Sequence, residues 1–243
     1  KMSQPLSQDS GLFYFFTFVI ININMNNFKK YDLLLALIIG EVCAWLLVFI
    51  ARNLAVETPA IAALTHYINY LPVVFPILCA VGLIIAHLLR KIVPVIYQVA
   101  KFVLVGGMNF LIDMGVLNFL IFYTGVSTGL VQSGFKGISF LVAVGNSFLW
   151  NKFWTFKRDS TEKVSQEFFQ FVVVSIIGLL INLGIDYVFV NIVHPFGGMP
   201  LKTWAQFSAL LAAALSLFWN FLGYKFIVFD AKNEQQSSTI SQI

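Results

Sequence analysis

Long apolar runs dominate the chain and are separated by short polar or proline-containing segments. Each run is close to the ~20 residues that an α-helix needs to cross the hydrocarbon core of a bilayer. The pattern predicts six such helices, at residues 33–51, 71–89, 102–123, 137–154, 168–193 and 204–224. The predicted fold is therefore an all-α, polytopic membrane protein with about six transmembrane helices.

Three segments outside these helices can also be interpreted from their sequences. Residues 11–21 are apolar but too short to cross a bilayer comfortably, and Met25 heads a sequence that reads as a protein start. We therefore interpret residues 1–28 as a tail, with Met25 as the hypothetical native start. The aromatic stretch 61–70 is predicted to lie along the membrane interface. The polar segment 231–243 is rich in Ser and Gln and is predicted to be disordered.

Composition agrees with a chain that meets little water. Only 11% of the residues are charged and the mean hydropathy is +0.85, whereas about a quarter of a soluble domain is charged. The net charge of +4 comes from basic residues at the ends of apolar runs, which favours membrane lipids over nucleic acid as the partner. Cys43 and Cys79 each lie inside an apolar run without metal-ligand spacing, so no metal and no cofactor are expected.

Basic residues are distributed unequally between the two predicted sides of the membrane. One side holds Lys29, Lys30, Arg90, Lys91, Lys101, Lys152, Lys157, Arg158, Lys163, Lys225 and Lys232. The other side holds Arg52, Lys136 and Lys202. The positive-inside rule assigns the richer side to the cytoplasm. With an even number of helices, both termini are predicted to be cytoplasmic and the protein to lie in the cytoplasmic (inner) membrane.

The last four predicted helices contain an internal repeat. Lys101–Phe119 aligns with Gln170–Phe189, in a register that matches Phe102 with Phe171. The ending KFWTF at Lys152–Phe156 aligns with KFIVF at Lys225–Phe229. The residue offset between these endings is slightly larger than that between the first helices, because the second half has a longer turn. Both halves begin and end on the same predicted side of the membrane. We therefore predict two parallel hairpins related by an axis along the membrane normal.

Three segments of this repeat resemble the GtrA family. They are FVLVGGMNFLID at residues 102–113, SFLWNKFWTF at 147–156 and NFLGYKFIVF at 220–229. The resemblance covers about Lys101 to Phe229. It implies a four-helix module of two parallel hairpin repeats at residues 96–230, with an additional two-helix transmembrane hairpin at residues 29–95.

The resemblance also implies a function. Members of this family are proposed to flip polyprenyl-phosphate-linked monosaccharides across the cytoplasmic membrane for glycosylation of cell-surface polysaccharides. They often accompany a polyprenyl-phosphate glycosyltransferase. Two alternatives stay open: a membrane adaptor that recruits such a transferase, or a proton-coupled small-molecule exporter that uses Glu41 or Asp113. A homodimer is also left open. No hydrolase or nucleotide-binding motif appears, so enzymatic activity is not expected.

A lipid-linked sugar phosphate needs cations for its phosphate where it enters the membrane. Lys101, Lys152, Arg158 and Lys225 lie at the predicted cytoplasmic ends of the repeat helices and are the candidates. Lys152 and Lys225 occupy matching positions in the two halves. The alternative is that these cations only anchor the helices to lipid headgroups and set the topology.

The hydroxyl groups of the sugar need polar partners inside the bilayer, where unpaired polar groups are costly. Asp113 is the first candidate because a carboxylate within a membrane helix is unfavourable unless it has a function or a partner. Asn109 lies one turn earlier on the same helix face. Asn182 and Asp186 form a similar stripe in the second half, and Asn151 is a further candidate. The alternative for each is a structural hydrogen bond between helices.

Overall fold

The computed structural model describes residues 30–55, 67–160, 163–193, 195–196 and 200–230, and within these ranges the chain is helical with short connections. The predicted tail 1–28, most of the predicted interfacial stretch and the polar segment 231–243 lie outside the described residues. The six helices of the described ranges are α1 (Lys30–Ala55), α2 (Leu71–Leu89), α3 (Ile96–Thr124), α4 (Gly129–Trp150), α5 (Val164–Asn191) and α6 (Leu201–Gly223).

Each predicted transmembrane helix corresponds to one observed helix. Five of them contain stretches that are long and apolar enough to cross a membrane. The exception is α4, which has 22 residues but carries polar side chains in its first half, including Lys136 and Ser139. The all-α polytopic membrane architecture is therefore confirmed.

The start of α4 differs from the prediction and changes the position of Lys136. The sequence TGVSTGLVQSG at residues 124–134 predicts a turn, with the next helix beginning at about residue 137, but the turn occupies only residues 125–128. Gly125 and Gly129 adopt φ of +71° and +75°, so the chain reverses within a few residues. As a result Lys136 lies two helical turns inside α4, about 10 Å from its start.

The helices alternate in direction, so their ends form two groups. The end that contains Lys91, Lys101, Lys157 and Lys225 is called the basic end, and the opposite end is called the far end. The hairpin α1–α2 packs against α3 around a core that includes Ile39, Leu83, Val105 and Met108. The N-terminal hairpin is therefore attached to the first half of the repeat.

Within the repeat, α3 packs on α4 and α5 packs on α6 along most of their lengths. The two hairpins meet through a second core, called the basic-end cluster. It consists of Phe102, Val144, Phe148, Phe171, Val174, Phe221, Tyr224, Val228 and Phe229. All four helices of the module therefore contribute to one apolar junction toward the basic end.

The second helix of each hairpin ends in a π-helical turn. These turns are π1 (Asn151–Thr155) after α4 and π2 (Tyr224–Val228) after α6. Their first residues, Asn151 and Tyr224, are equivalent in the register predicted from the two Lys-Phe endings. The Phe156 N–H donates to the Asn151 carbonyl and the Phe229 N–H to the Tyr224 carbonyl, both at 2.8 Å. The sequence repeat is therefore also a repeat of backbone conformation.

Candidate functional site

The basic-end cluster contains equivalent ring contacts from the two halves. The ring centroids of Phe102 and Phe221 lie 5.6 Å apart, and those of Phe148 and Phe171 also lie 5.6 Å apart. The repeat alignment matches Phe102 with Phe171 and Phe148 with Phe221. The two contacts are thus the same contact made twice with the partners exchanged, as occurs about a two-fold axis.

The aligned residues Phe156 and Phe229 also contact each other. Their rings stack with centroids 5.2 Å apart and an interplanar angle of 27°. Their contacts with the neighbouring rings repeat as well, at 5.9 Å for Phe156 with Phe221 and 6.0 Å for Phe229 with Phe148. The two hairpins are therefore related by a pseudo-two-fold axis that passes between Phe156 and Phe229.

Lys101, a candidate phosphate ligand, is bound by the N-terminal hairpin. Its Nζ lies 2.7 Å from Asp32 Oδ1, and both side chains are almost fully buried. Asp32 also accepts hydrogen bonds from the Tyr97 hydroxyl and from Trp154 Nε1, each at 2.8 Å. Asp32 was not among the predicted site residues, because nothing in the sequence indicates which helix α1 packs against.

Lys152, the second candidate cation, forms a buried ion pair with Glu167. Lys152 belongs to π1 and Glu167 to the first turn of α5, so the pair connects the two hairpins. A carboxylate in the first turn of a helix is also favoured by the helix dipole. Glu167 was not predicted to be a site residue, although an acidic residue next to an apolar run is a detectable signal.

Lys225 is the equivalent of Lys152 but has a different environment. The repeat alignment matches Glu167 with Gln98, which is neutral and donates to the Thr155 carbonyl at 3.3 Å. Lys225 is half-buried, and its Nζ lies 5.8 Å from the Phe221 ring centroid. Where the structure describes ion pairs, they involve Lys101, Lys136 and Lys152. Lys225 therefore has no carboxylate partner among the described residues.

Arg158, the remaining candidate cation, follows π1 and is buried. Its backbone N–H donates to the Lys152 carbonyl at 2.8 Å, and Lys157 before it has a positive φ of 54°. This reversal of the chain directs residue 158 back toward π1. The four predicted cations thus lie at the basic end, where Lys101 pairs with Asp32 and Lys152 with Glu167.

Asp113 and Asn109 lie on one helix face, as expected from their spacing. Asp113 forms an ion pair with Lys136 and accepts a hydrogen bond from Ser139 Oγ at 2.6 Å. Asn109 Oδ1 accepts from Asn146 Nδ2 at 2.6 Å. Both partners belong to α4, so this polar stripe faces its own hairpin. The Asp113 side chain is 20% exposed and the Lys136 side chain 50% exposed, so the ion pair reaches the surface of the helical bundle.

The second half of the module has a different polar pattern. Asp186 accepts a hydrogen bond from Ser208 Oγ at 2.8 Å, and Asn182 is half-buried on α5. In the repeat alignment Asn182 corresponds to Asp113, whereas Ala209 and Ala212 correspond to Lys136 and Ser139. The second hairpin therefore carries no counterpart of the Asp113–Lys136 ion pair at these positions.

Three amide side chains of the module retain an atom that no described residue hydrogen-bonds. These atoms are Asn109 Nδ2 on α3, Asn151 Oδ1 on π1 and Asn220 Oδ1 on α6. The side chains of Asn109 and Asn151 are more than nine-tenths buried. A buried amide atom without a partner is unfavourable by about 1–3 kcal/mol. Within the described residues, these three atoms therefore retain hydrogen-bonding capacity that the fold does not use.

The described ranges contain no group of three His, Cys, Asp or Glu side chains that could hold a metal ion. Cys43 and Cys79 are both buried as free thiols.

One comparison with known proteins identifies a related group. A family model described as "GtrA/DPMS, transmembrane domain" matches residues 101–229, which is more than half of the chain. The match runs from α3 to the end of π2 and does not include the α1–α2 hairpin. No curated protein and no solved structure matches the chain significantly.

Proposed function

The chain belongs to the GtrA/DPMS transmembrane-domain family, and on this premise we propose that it flips a polyprenyl-phosphate-linked monosaccharide across the cytoplasmic membrane. The sugar would then serve in glycosylation of a cell-surface polysaccharide. In this proposal the protein is a transporter rather than an enzyme. It moves an amphiphile whose prenyl chain can stay in lipid while its polar head crosses the hydrocarbon.

The single observation that carries the proposal is the set of unpaired buried amide atoms on Asn109, Asn151 and Asn220. The hydroxyl groups of a sugar lose their hydrogen bonds to water when they enter hydrocarbon, at a cost on the order of 2–7 kcal/mol for each unpaired group. Amide donors and acceptors that are already buried replace some of those bonds. They come from both hairpins, so a sugar that contacts all three would lie between the two halves.

Lys225 is the side chain that we propose as the main phosphate contact. Lys101 and Lys152 are already neutralised by Asp32 and Glu167, so a phosphate would have to displace a buried carboxylate to reach them. Lys225 keeps its charge, and an ammonium–phosphate hydrogen bond is among the stronger ones in proteins. Arg158 at the same end is proposed as a second contact, because a guanidinium group binds phosphate with two parallel hydrogen bonds.

The ion pair of Asp113 with Lys136 is proposed as a later station for the polar head. It lies near the middle of α3 and is partly exposed, so its partners can exchange with sugar hydroxyls. In the second half, Asn182 and Asp186 are proposed to contact the sugar as hydrogen-bonding groups.

The orientation follows from the distribution of charge. We propose that the basic end faces the cytoplasm, as the positive-inside rule requires. The described helical bundle begins with Lys30 and ends at Asp230, and both lie at the basic end. A glycosyltransferase partner would then deliver the lipid-linked sugar on the side of the membrane where Lys225 and Arg158 lie.

A reconstitution assay tests the proposal. Liposomes that contain the protein and a labelled polyprenyl-phosphate monosaccharide are exposed to a membrane-impermeant reagent that destroys the label. We expect the inner-leaflet label to become accessible at a rate well above that of protein-free liposomes. Lys225→Gln should slow this step by about tenfold or more, because a hydrogen bond to a charged group contributes about 1.5–3 kcal/mol. Asp113→Asn should also slow it.

The control is Lys157→Gln, which removes an exposed cation from the same end of the protein. This variant should flip at the wild-type rate. Inner-leaflet label that stays protected in the presence of wild-type protein would refute transport. If wild-type protein that does not flip the substrate still bound a polyprenyl-phosphate glycosyltransferase, the adaptor function would replace transport as the proposed function. Glu41, one of the two carboxylates that the exporter alternative invokes, accepts a hydrogen bond from Trp45 one turn along its own helix.

A further inference from the structure

A groove of about 520 Å³ lies between α2 and α3, toward the basic end. This volume is within the range of about 300–1,000 Å³ that is usual for small-molecule sites. The lining is aliphatic and aromatic along almost its whole surface, with Leu78, Gly82 and Leu89 from α2 and Ile96 and Val103 from α3. Several of these side chains are about half exposed, so the groove is open to the surrounding lipid.

Two cations lie at the basic end of this groove. Leu89 and Ile96 both line it, and the turn between them contains Arg90 and Lys91. Lys91 is exposed, and the Arg90 guanidinium carbon lies 6.0 Å from the centroid of the Tyr97 ring. In the part of the chain that the structure describes, neither Arg90 nor Lys91 forms an ion pair with a carboxylate. The apolar groove is therefore adjoined, at its basic end, by a turn with two positive charges that form no ion pair with a described carboxylate.

This arrangement matches an amphiphile with one hydrocarbon chain and an anionic head. We propose that the groove is a loading site that holds the polyprenyl chain of the lipid-linked substrate, with its phosphate on Arg90 and Lys91. A single groove accommodates a single chain, whereas a membrane phospholipid carries two. The inference rests on the proposed function and names the residues that bind the substrate before transport.

The loading site adjoins the proposed transport site. Val99 of α3 lines the groove and also packs against the basic-end cluster. A substrate in the groove is therefore separated by one helix from the junction of the two hairpins. Because α2 supplies one wall, the N-terminal hairpin acquires a function: it builds a binding site that the matched family segment does not contain by itself.

Gly82 offers a way to fill the groove. A Cβ atom added at Gly82 would have no heavy atom within 4 Å, so a phenylalanine there can extend into the groove without a clash at its first carbon. Gly134 on α4 is equally open and is exposed, but it does not line the groove. Gly82→Phe and Gly134→Phe are thus a matched pair of test and control. Val103→Trp is a second groove-filling variant on the opposite wall.

The test uses a polyprenyl phosphate with a diazirine in its chain as the probe, and full-length protein in lipid nanodiscs. After illumination, mass spectrometry locates the labelled residues. We expect labels on the groove-lining residues of α2 and α3, and competition by unlabelled polyprenyl phosphate but not by the same excess of phosphatidylglycerol. Gly82→Phe and Val103→Trp should each lower this labelling by about tenfold, whereas Gly134→Phe should not change it.

The charges are tested with the double variant Arg90→Gln/Lys91→Gln. It should weaken binding of polyprenyl phosphate by about tenfold or more but leave binding of the uncharged polyprenol unchanged. Lys157→Gln serves as its control. The loading site would be refuted if phosphatidylglycerol competed as well as polyprenyl phosphate, or if labels fell outside the groove in the folded wild-type protein.

Failure of this inference differs from failure of the proposed function. If the wild-type protein and both groove-filling variants flip the substrate equally fast, transport stands and the loading site is wrong. If the groove is labelled specifically but no flipping occurs, the binding site stands and transport is wrong.

Discussion

The two hairpins of the module have the same backbone but different polar side chains. Each has a long first helix and a second helix that ends in a π-helical turn, and equivalent phenylalanine rings contact each other across the pseudo-axis. In the first hairpin Asp113 contacts Lys136 and Ser139. In the second hairpin the aligned Lys136 and Ser139 positions are Ala209 and Ala212. The repeat thus preserves packing, whereas the carboxylate–lysine pair of the first half has no counterpart at the aligned positions of the second half.

The basic ends differ in the same way. Lys152 is neutralised by Glu167 from the other hairpin, whereas Gln98 occupies the position that would neutralise Lys225. A symmetric arrangement would contain either two neutral pairs or two free cations beside the axis. The observed asymmetry leaves one cation of this equivalent pair without a carboxylate, which suits a substrate with a single phosphate group.

The outer faces of the two hairpins also differ. The first helix of the first half, α3, is covered by α1 and α2 and is fixed to them through Lys101 and Asp32. The corresponding helix of the second half, α5, packs on α4, α6 and π2, and carries Gln170 at the position of Lys101.

Breaking the buried ion pair between the hairpins should have the largest effect on stability. Lys152→Met leaves the Glu167 carboxylate buried without a countercharge, and such a change lowers the free energy of unfolding by about 3–5 kcal/mol. Chemical denaturation in detergent micelles measures this change. The double variant Lys152→Met/Glu167→Met should recover most of the loss, because apolar side chains can replace a buried ion pair.

The matched control is Lys225→Met at the equivalent position. Because Lys225 has no carboxylate partner in the described structure, its loss should change the free energy of unfolding by no more than about 0.5 kcal/mol. Equal destabilisation by Lys152→Met and Lys225→Met would contradict the asymmetry of the basic ends.

Asp32→Asn should release the N-terminal hairpin from the module. Tyr97 donates to Oδ2 of Asp32 and Trp154 to Oδ1, so an asparagine, which keeps one oxygen, can accept from only one of them. The substitution also removes the negative charge beside Lys101, and we expect a loss of about 3 kcal/mol. Limited proteolysis should cut the α2–α3 turn faster than in the wild-type protein. Asp159→Asn, which changes an exposed acid, should leave the cleavage rate unchanged. An unchanged rate in Asp32→Asn would show that apolar packing alone holds the hairpin.

The ring contact on the pseudo-axis should appear as a coupling energy. In a double-mutant cycle of Phe156→Ala and Phe229→Ala, stacked rings should couple by about 0.5–1.5 kcal/mol. Phe110 is exposed and lies outside the basic-end cluster, so Phe156→Ala combined with Phe110→Ala should be additive within about 0.5 kcal/mol. Additivity of the Phe156 and Phe229 substitutions would argue against the axis contact.

The smallest effect is expected at the partly exposed ion pair. Lys136→Gln should lower the free energy of unfolding by no more than about 1 kcal/mol, because glutamine can still donate a hydrogen bond to Asp113 and Ser139 continues to donate to it. By contrast, Lys136→Gln should slow flipping, as Asp113→Asn does. A large loss of stability in Lys136→Gln would assign this pair a structural role and remove it from the transport mechanism.

Much of the framework follows from local sequence patterns. Apolar runs of about 20 residues specify helices because, in a bilayer, the backbone N–H and C=O groups can hydrogen-bond only with one another. The spacing of Asn109 and Asp113 places both on one helix face, whatever that face contacts. The start of α4 was missed because glycine and polar residues interrupt the apolar residues of its first two turns, so no continuous apolar run marks them.

The partners of the charged groups could not be predicted in this way. Asp32 and Lys101 lie far apart in the chain, and Lys152 and Glu167 belong to different hairpins, so each pair depends on which helices pack together. The sequence by itself determined the number of helices, their order, the parallel repeat and the basic end, because each is encoded by residues close together in the chain. Only the tertiary structure decided which cations are neutralised and which amides stay unpaired, because a charge is compensated by whatever the fold brings within a few ångströms.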